Sequence, residues 1–284
     1  MPSSLSNADE PSAPLLVLEP RRGASVIAWG ELWRYRELLY FLAWRDIKVR
    51  YKQTVLGAAW AVLQPVTTMI VFTVFFGRLG GLDRNVTIAY PVFVYAGLLP
   101  WTFFASAVSQ SANSLVGNSG LIAKVYFPRL LIPCSSVATS TIDLLISSAV
   151  MAALMIWYGV VPSVWLVLLP VLFVLLWCAA LGIGAWMAAL LVAYRDLRHV
   201  LTFLLQIWMF ASPVAYPLDI VPEQWRLAYS INPMAGLIHG FRVALLDEPL
   251  EVGCLALSSI SALAVFWIGI AYFARAERRF ADIV

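Results

Sequence analysis

The side chains able to do chemistry are few and unevenly spread. A basic run, Arg45, Lys48, Arg50 and Lys52, repeats at intervals of two or three residues. Basic residues on one helix with large aromatics suit the headgroup region of a membrane, as a solvated juxtamembrane helix or as a docking platform for a partner. The same four residues would also serve simply to fix topology. Residues 53–77 follow without a single charge. Further on, Asp143 is the one carboxylate inside a long apolar stretch. An ionisable group at membrane depth is costly and commonly has a task, so ion coupling is one reading. Ser140 and Ser147 stand three residues before it and four after. A structural role, with hydrogen bonds from such neighbouring hydroxyls or a place close to the cytoplasmic interface, is the favoured reading.

Two hydroxyl stripes flank that carboxylate. Thr102, Ser106, Ser109 and Asn113 share a helical face, as do Ser136, Thr139, Ser140, Asp143 and Ser147. Hydroxyls glue membrane helices together, and they also line wet paths for polar cargo. The aromatics have a similar double use. Trp60, Trp101, Phe103, Phe104, Trp208, Phe210 and Tyr216 are either interfacial anchors or a stacking surface for sugar rings. Ser106, Asn113 and Ser140 join them as candidate channel-lining residues.

Several chemistries are excluded by pattern. The sequence contains no GxxxxGK[ST], so it has no P-loop of its own. His199 and His239 lie in no HExxH, and no GxSxG is present. Cys134, Cys178 and Cys254 are far apart in apolar surroundings and read as inert thiols, with no metal site. A net charge of +3 is too small to imply nucleic acid. An enzyme is therefore disfavoured.

The elements that must hold these residues are membrane helices. The chain has 284 residues, 62% hydrophobic and 12% charged. Soluble domains run at about 45–50% and about 25%. The composition requires lipid as solvent, and twelve Trp with eleven Tyr suit two interfacial belts. Residues 1–28 read as a mobile cytoplasmic tail, and residues 1–20 lack the basic region and the apolar run of a secretory signal. The remainder, 29–284, reads as one transmembrane domain.

Residues 29–52 predict an amphipathic helix at the headgroup level, with Arg34, Glu37, Arg45, Lys48 and Lys52 on one stripe. Six spans are expected over 55–76, 89–110, 134–158, 165–193, 200–216 and 252–273, with Pro65 kinking the first. Ala180, Gly184 and Ala188 form a small-residue seam on the fourth. Between the fifth and sixth lie two apolar pieces, 222–231 and 234–246, each too short to span. They predict a re-entrant or surface hairpin. The fold class expected is an all-α membrane protein. Fifteen of the nineteen basic residues fall on the side of the termini in this arrangement. Both termini are therefore expected in the cytoplasm.

A series of motifs then resembles one family. Arg50-Tyr51-Lys52-Gln53-Thr54-Val55-Leu56-Gly57 runs on to Trp60 and Gln64-Pro65. Gly97-Leu98-Leu99-Pro100-Trp101-Thr102-Phe103-Phe104 and Leu121-Ile122-Ala123-Lys124-Val125-Tyr126-Phe127-Pro128-Arg129 follow. Tyr194-Arg195-Asp196-Leu197, Ser212-Pro213-Val214-Ala215-Tyr216 and Ile231-Asn232-Pro233-Met234 complete it. In order and spacing these resemble type-2 ABC exporter permeases for polysaccharides, from about residue 30 onward.

The resemblance implies a homodimer in the bacterial inner membrane with the conduit at the subunit interface. It implies no cofactor on this chain, and ATP with Mg on a separate ABC ATPase subunit. The helix over 29–52 would touch that partner, and 113–129 would carry the coupling helix, through Asn118, Leu121, Lys124, Tyr126, Phe127 and Arg129. The hairpin at 219–246 would cap the outer mouth. The implied cargo is a polyprenyl-diphosphate-linked glycan, O-antigen-like, whose diphosphate Arg45, Lys48, Arg50 and Lys52 would receive. Competing expectations are an ABC exporter of a drug or small lipid, a secondary transporter, and a membrane enzyme of glycan assembly.

Overall fold

The computed structural model describes residues 29–52, 59–122, 124–194 and 196–277. The tail 1–28, the motif residues within 53–58, Ala123, Arg195, Arg278 and Arg279 lie outside them. All regular structure among the described residues is helical. The helices are α1 (Trp29–Arg34), α2 (Arg36–Lys52), α3 (Ala59–Phe72), α4 (Tyr90–Gly117), α5 (Ser119–Ile122) and α6 (Leu131–Tyr158). After them come α7 (Leu169–Ala193), α8 (Leu197–Phe210), α9 (Glu223–Tyr229), α10 (Pro233–Leu246) and α11 (Val252–Glu277).

Five helical stretches among the described residues are long and apolar enough to cross a membrane: Ala59–Leu79, Tyr90–Gly117, Leu131–Tyr158, Val164–Ala193 and Val252–Glu277. They correspond to five of the six expected spans. The fifth expected span, 200–216, is the 14-residue α8, which stops at Phe210. Beyond Phe210 the chain leaves the helix at Ser212-Pro213, because proline has no amide hydrogen to continue the ladder. Pro65, by contrast, sits within continuous α3.

The centre of the bundle is α4, most of whose residues are buried. It packs against α6, α7, α10 and α3. The anticipated seam on α7 is real at Gly184, where a Cβ would lie 2.5 Å from Ser111 Oγ of α4. A second close approach comes from Gly182 and Gly269. A Cβ on Gly269 would overlap the Gly182 carbonyl, so α7 and α11 cross backbone to backbone.

Every residue of α10 is buried. Asn232 caps it, its side chain accepting from Met234 N at 3.0 Å. Much of the outer surface is apolar: Ile156, Trp157, Val161, Val164 and Val167 are strongly exposed around the turn between α6 and α7. Such a surface suits hydrocarbon and its aromatic margin.

At one end of the bundle α2, the end of α4, the start of α6 and the end of α11 meet. Arg45 Nη2 donates to Asn118 Oδ1 at 2.7 Å, and Arg129 N donates to Glu277 Oε1 at 2.9 Å. At the opposite end Ser163 Oγ donates to Asp247 Oδ1 at 2.5 Å, and Arg226 pairs with Glu251 at 2.8 Å.

Candidate functional site: a polar cavity floored by an ion pair

A cavity of about 440 Å³ lies between α3, α4, α6 and α8. Its wall is amphipathic by composition. Gln64, Thr68, Thr102, Ser109, Thr202 and Gln206 supply amides and hydroxyls, while Trp60, Trp101 and Phe103 supply rings. Charge enters only through Arg50 and Asp143 among the described residues lining it.

Those two form the centre of a network. Arg50 Nη2 lies 2.7 Å from Asp143 Oδ2. The other carboxylate oxygen, Oδ1, accepts from the Tyr51 hydroxyl at 2.5 Å. Burial, and then the carboxylate beside it, holds the Tyr51 phenol well above its ordinary pKa, so it remains a donor. Arg50 Nη1 also donates to Gln110 Oε1 at 3.0 Å. Gln110 Nε2 in turn donates to Ser106 Oγ at 2.6 Å and Ser140 Oγ at 2.9 Å. Asp143 stands about 18 Å along α6 from Leu131, at about 1.5 Å per residue. The tip of α2 thus reaches well up the wall of the bundle. Neighbouring hydroxyls were the expected partners of Asp143; its recorded partners come instead from α2.

The basic run is divided by this arrangement. Arg45 is engaged with Asp46 and Asn118. Lys48 lies over the Trp44 ring at 5.2 Å, and Lys52 is exposed. Of the four, Arg50 alone lines the cavity.

Of the candidate channel residues, Trp60, Trp101, Phe103 and Ser106 line the cavity. Ser140 is buried behind it as a partner of Gln110. Phe104 is buried with its ring 5.2 Å from that of Trp208. Trp208 Nε1 donates to Asn232 Oδ1 at 2.9 Å, and Asn113 Nδ2 to Ser109 O at 2.8 Å. Phe210 is exposed, and Tyr216 bonds Phe210 O at 3.0 Å and the Tyr229 hydroxyl at 2.9 Å.

Among the candidate coupling residues, Asn118 closes α4 and Leu121 lies on α5. Lys124 and Tyr126 are exposed, Phe127 is buried, and Arg129 is held through its backbone by Glu277.

Two features had weaker sequence signals. Gln110 stands four residues from Ser106 on the hydroxyl stripe of α4, and Gln64 and Thr68 stand four apart on α3; all three were legible as polar residues in spans. Arg242 was not. It is fully buried with its guanidinium 3.7 Å from the Phe93 ring centroid, and it donates to Val214 O at 2.6 Å and Tyr216 O at 3.1 Å.

A multi-helix membrane bundle with an internal wall of hydroxyls, amides and aromatic rings defines a transport domain. Residues 37–246 match the ABC-2 type transporter family, and the chain belongs to it. The chain is 31% identical over 258 residues to the O-antigen export system permease protein RfbA of Myxococcus xanthus, covering 89% of this chain and 98% of that one. It is 29% identical over 250 residues to the RfbA protein of the same description from Klebsiella pneumoniae, covering 87% and 95%. It is 27% identical over 246 residues to the polysialic acid transport protein KpsM of Escherichia coli, covering 82% and 91%.

Proposed function

We propose that this chain is the permease subunit of an ABC exporter that carries a polyprenyl-diphosphate-linked, O-antigen-like polysaccharide across the bacterial inner membrane. The observation that carries the proposal is the cavity wall. A chain of sugar units presents hydroxyls and C–H faces and little charge, and the wall offers hydroxyls, amides and rings with one ion pair. The names of the related RfbA and KpsM proteins support a glycan cargo.

In this reading α8 is the fifth of six spans, shortened because its outer end unwinds, and α9 with α10 form the re-entrant hairpin at the outer mouth. The helix α2 lies at the inner interface. Its exposed Tyr40 and Trp44, with Trp33 of α1 just before it, suit headgroups. Both termini are cytoplasmic. A second copy of the chain completes the conduit; the reading is supported by the span Ala59–Leu79, the least buried of the candidate spans, which leaves Leu63, Ile70, Val71 and Phe75 exposed. ATP and Mg bind a separate ATPase subunit that contacts the stretch from Asn118 to Arg129.

Co-expression with an ATPase subunit in a strain lacking this gene tests the proposal. The two chains should co-purify, and surface glycan should reappear only when both are present. Restoration by the permease alone, or a complex that restores no glycan, would refute it.

A further inference from the structure

We infer that Asp143 is a built-in competitor for the anionic group of the cargo: it holds Arg50 at the cavity floor in the empty transporter and yields the guanidinium when an oxyanion enters. This rests on the polyprenyl-diphosphate reading above. It assigns a task to a carboxylate that the transport reading alone leaves idle.

The geometry is arranged for such an exchange. Among the described residues lining the cavity Arg50 is the only cation, so an entering oxyanion has one place to pair. An empty cavity with an unpaired guanidinium would be costly at this depth, and Asp143 removes that cost. Each partner keeps one hydrogen bond when they separate. Asp143 keeps the Tyr51 hydroxyl on its other oxygen, and Arg50 keeps Gln110 on its other terminal nitrogen. A diphosphate offers more acceptor oxygens than a carboxylate and pairs with a guanidinium in bidentate fashion. The oxyanion takes the place of Asp143 on the guanidinium, and the carboxylate left without its counter-charge sets the cost that the incoming group must offset.

The sign of the effect separates this role from a structural one. Asp143→Asn removes the competitor, and the site should bind an oxyanion more tightly. Tyr51→Phe removes the carboxylate's second tie, leaves it more dependent on Arg50, and should weaken oxyanion binding. A residue that merely braced the bundle would shift both variants the same way.

The test uses the permease–ATPase complex in phosphatidylcholine nanodiscs, titrated with farnesyl diphosphate. Relative to the unaltered complex, Asp143→Asn should bind the probe about fivefold tighter or more, a modest two-site coupling. Tyr51→Phe should bind it more weakly, Arg50→Gln should lose most of the binding, and Asp143→Glu should stay near the original affinity. Equal or weaker binding by Asp143→Asn, or shifts of one sign in Asp143→Asn and Tyr51→Phe, would overturn the inference. Parallel titrations with inorganic diphosphate and with phosphatidylglycerol identify the source of the oxyanion. Tightening seen only with phosphatidylglycerol would overturn the assignment to cargo. Surface glycan in cells reports the export reading separately: intact export by the unaltered complex with the wrong binding pattern defeats the inference alone.

Discussion

Replacing Arg242 with Met should loosen the end of the bundle where α10 packs against the non-helical segment 212–216. The chain from Ser212 to Tyr216 is not helical, so its carbonyls need donors from elsewhere. Arg242 supplies two of them, at 2.6 Å to Val214 O and 3.1 Å to Tyr216 O, with a longer contact of 3.4 Å to Phe93 O. Hydrogen bonds from a charged donor contribute about 1.5–3 kcal/mol each, so losing two costs roughly 3–6 kcal/mol. Relief from guanidinium desolvation offsets part of this, leaving a net loss of about 3 kcal/mol. For a domain of this class about 1 kcal/mol moves Tm by about 2–4 °C, so Tm should fall by about 6–12 °C. The measurement is thermal unfolding of the complex in nanodiscs, read by tryptophan fluorescence. Arg242→Lys, which keeps the charge but not the fork, should fall between. A Tm for Arg242→Met within about 2 °C of the unaltered protein would show that these carbonyls find other donors and would refute the reasoning.

Two further outcomes follow from other contacts. Gly269→Ala places a methyl group on the Gly182 carbonyl and should force α7 and α11 apart, reducing the yield of folded complex on size-exclusion chromatography; Gly253→Ala, whose Cβ would meet only Leu227 at 3.7 Å, should leave it unchanged. Arg45→Ala and Asn118→Ala should each lower glycan exported per ATP hydrolysed. In a double-mutant cycle they should couple by about 0.5–1 kcal/mol, the scale of a partly exposed charged contact, and strictly additive losses would show that the contact transmits nothing.

The helical class, the long spans and the positions of the interruptions follow from composition and periodicity, because lipid allows so few backbone solutions. What a single sequence does not encode locally is which side chains from distant segments meet. The stripe containing Ser140, Asp143 and Ser147 was legible as one face of α6, yet it meets three different helices: Asp143 meets α2, ninety-two residues away in the case of Tyr51, Ser140 meets Gln110 of α4, and Ser147 meets Ala61 of α3. The basic run was legible as a cluster, but its division between Asn118, the Trp44 ring and the cavity depends on the packing of α2 against α6 and the end of α4. Arg242 was hidden for a related reason. Its neighbours Phe241 and Val243 make the segment look like ordinary apolar helix, and its acceptors are carbonyls, which carry no residue signature. Gly97 was the indirect clue: a Cβ there would lie 2.7 Å from Arg242 Nη2 and 2.8 Å from Val214 O, so the Gly97-Leu98-Leu99-Pro100-Trp101 motif leaves room for this arginine.

The two polar ties of α2 have different consequences because they differ in burial. Arg45 is half exposed and meets Asn118 at the end of α4, beside the stretch proposed to receive the ATPase. Arg50 and Tyr51 lie about one and a half turns further on, at about 3.6 residues per turn, and meet Asp143 in the cavity wall. A displacement of the α4–α5 junction therefore reaches the cavity by two routes, through α4 itself and through α2. Along α4 it arrives at Ser106 and Gln110; along α2 it arrives at Arg50, which binds the same Gln110. Both routes end on one amide. A motion that moves α4 without α2 must break the Arg50–Gln110 bond, whereas one that moves them together preserves it. The cavity floor is thus sensitive to the relative position of two elements that both lie beside the proposed ATPase contact, and that sensitivity is what a permease driven by a separate ATPase, as proposed, needs in order to respond to it.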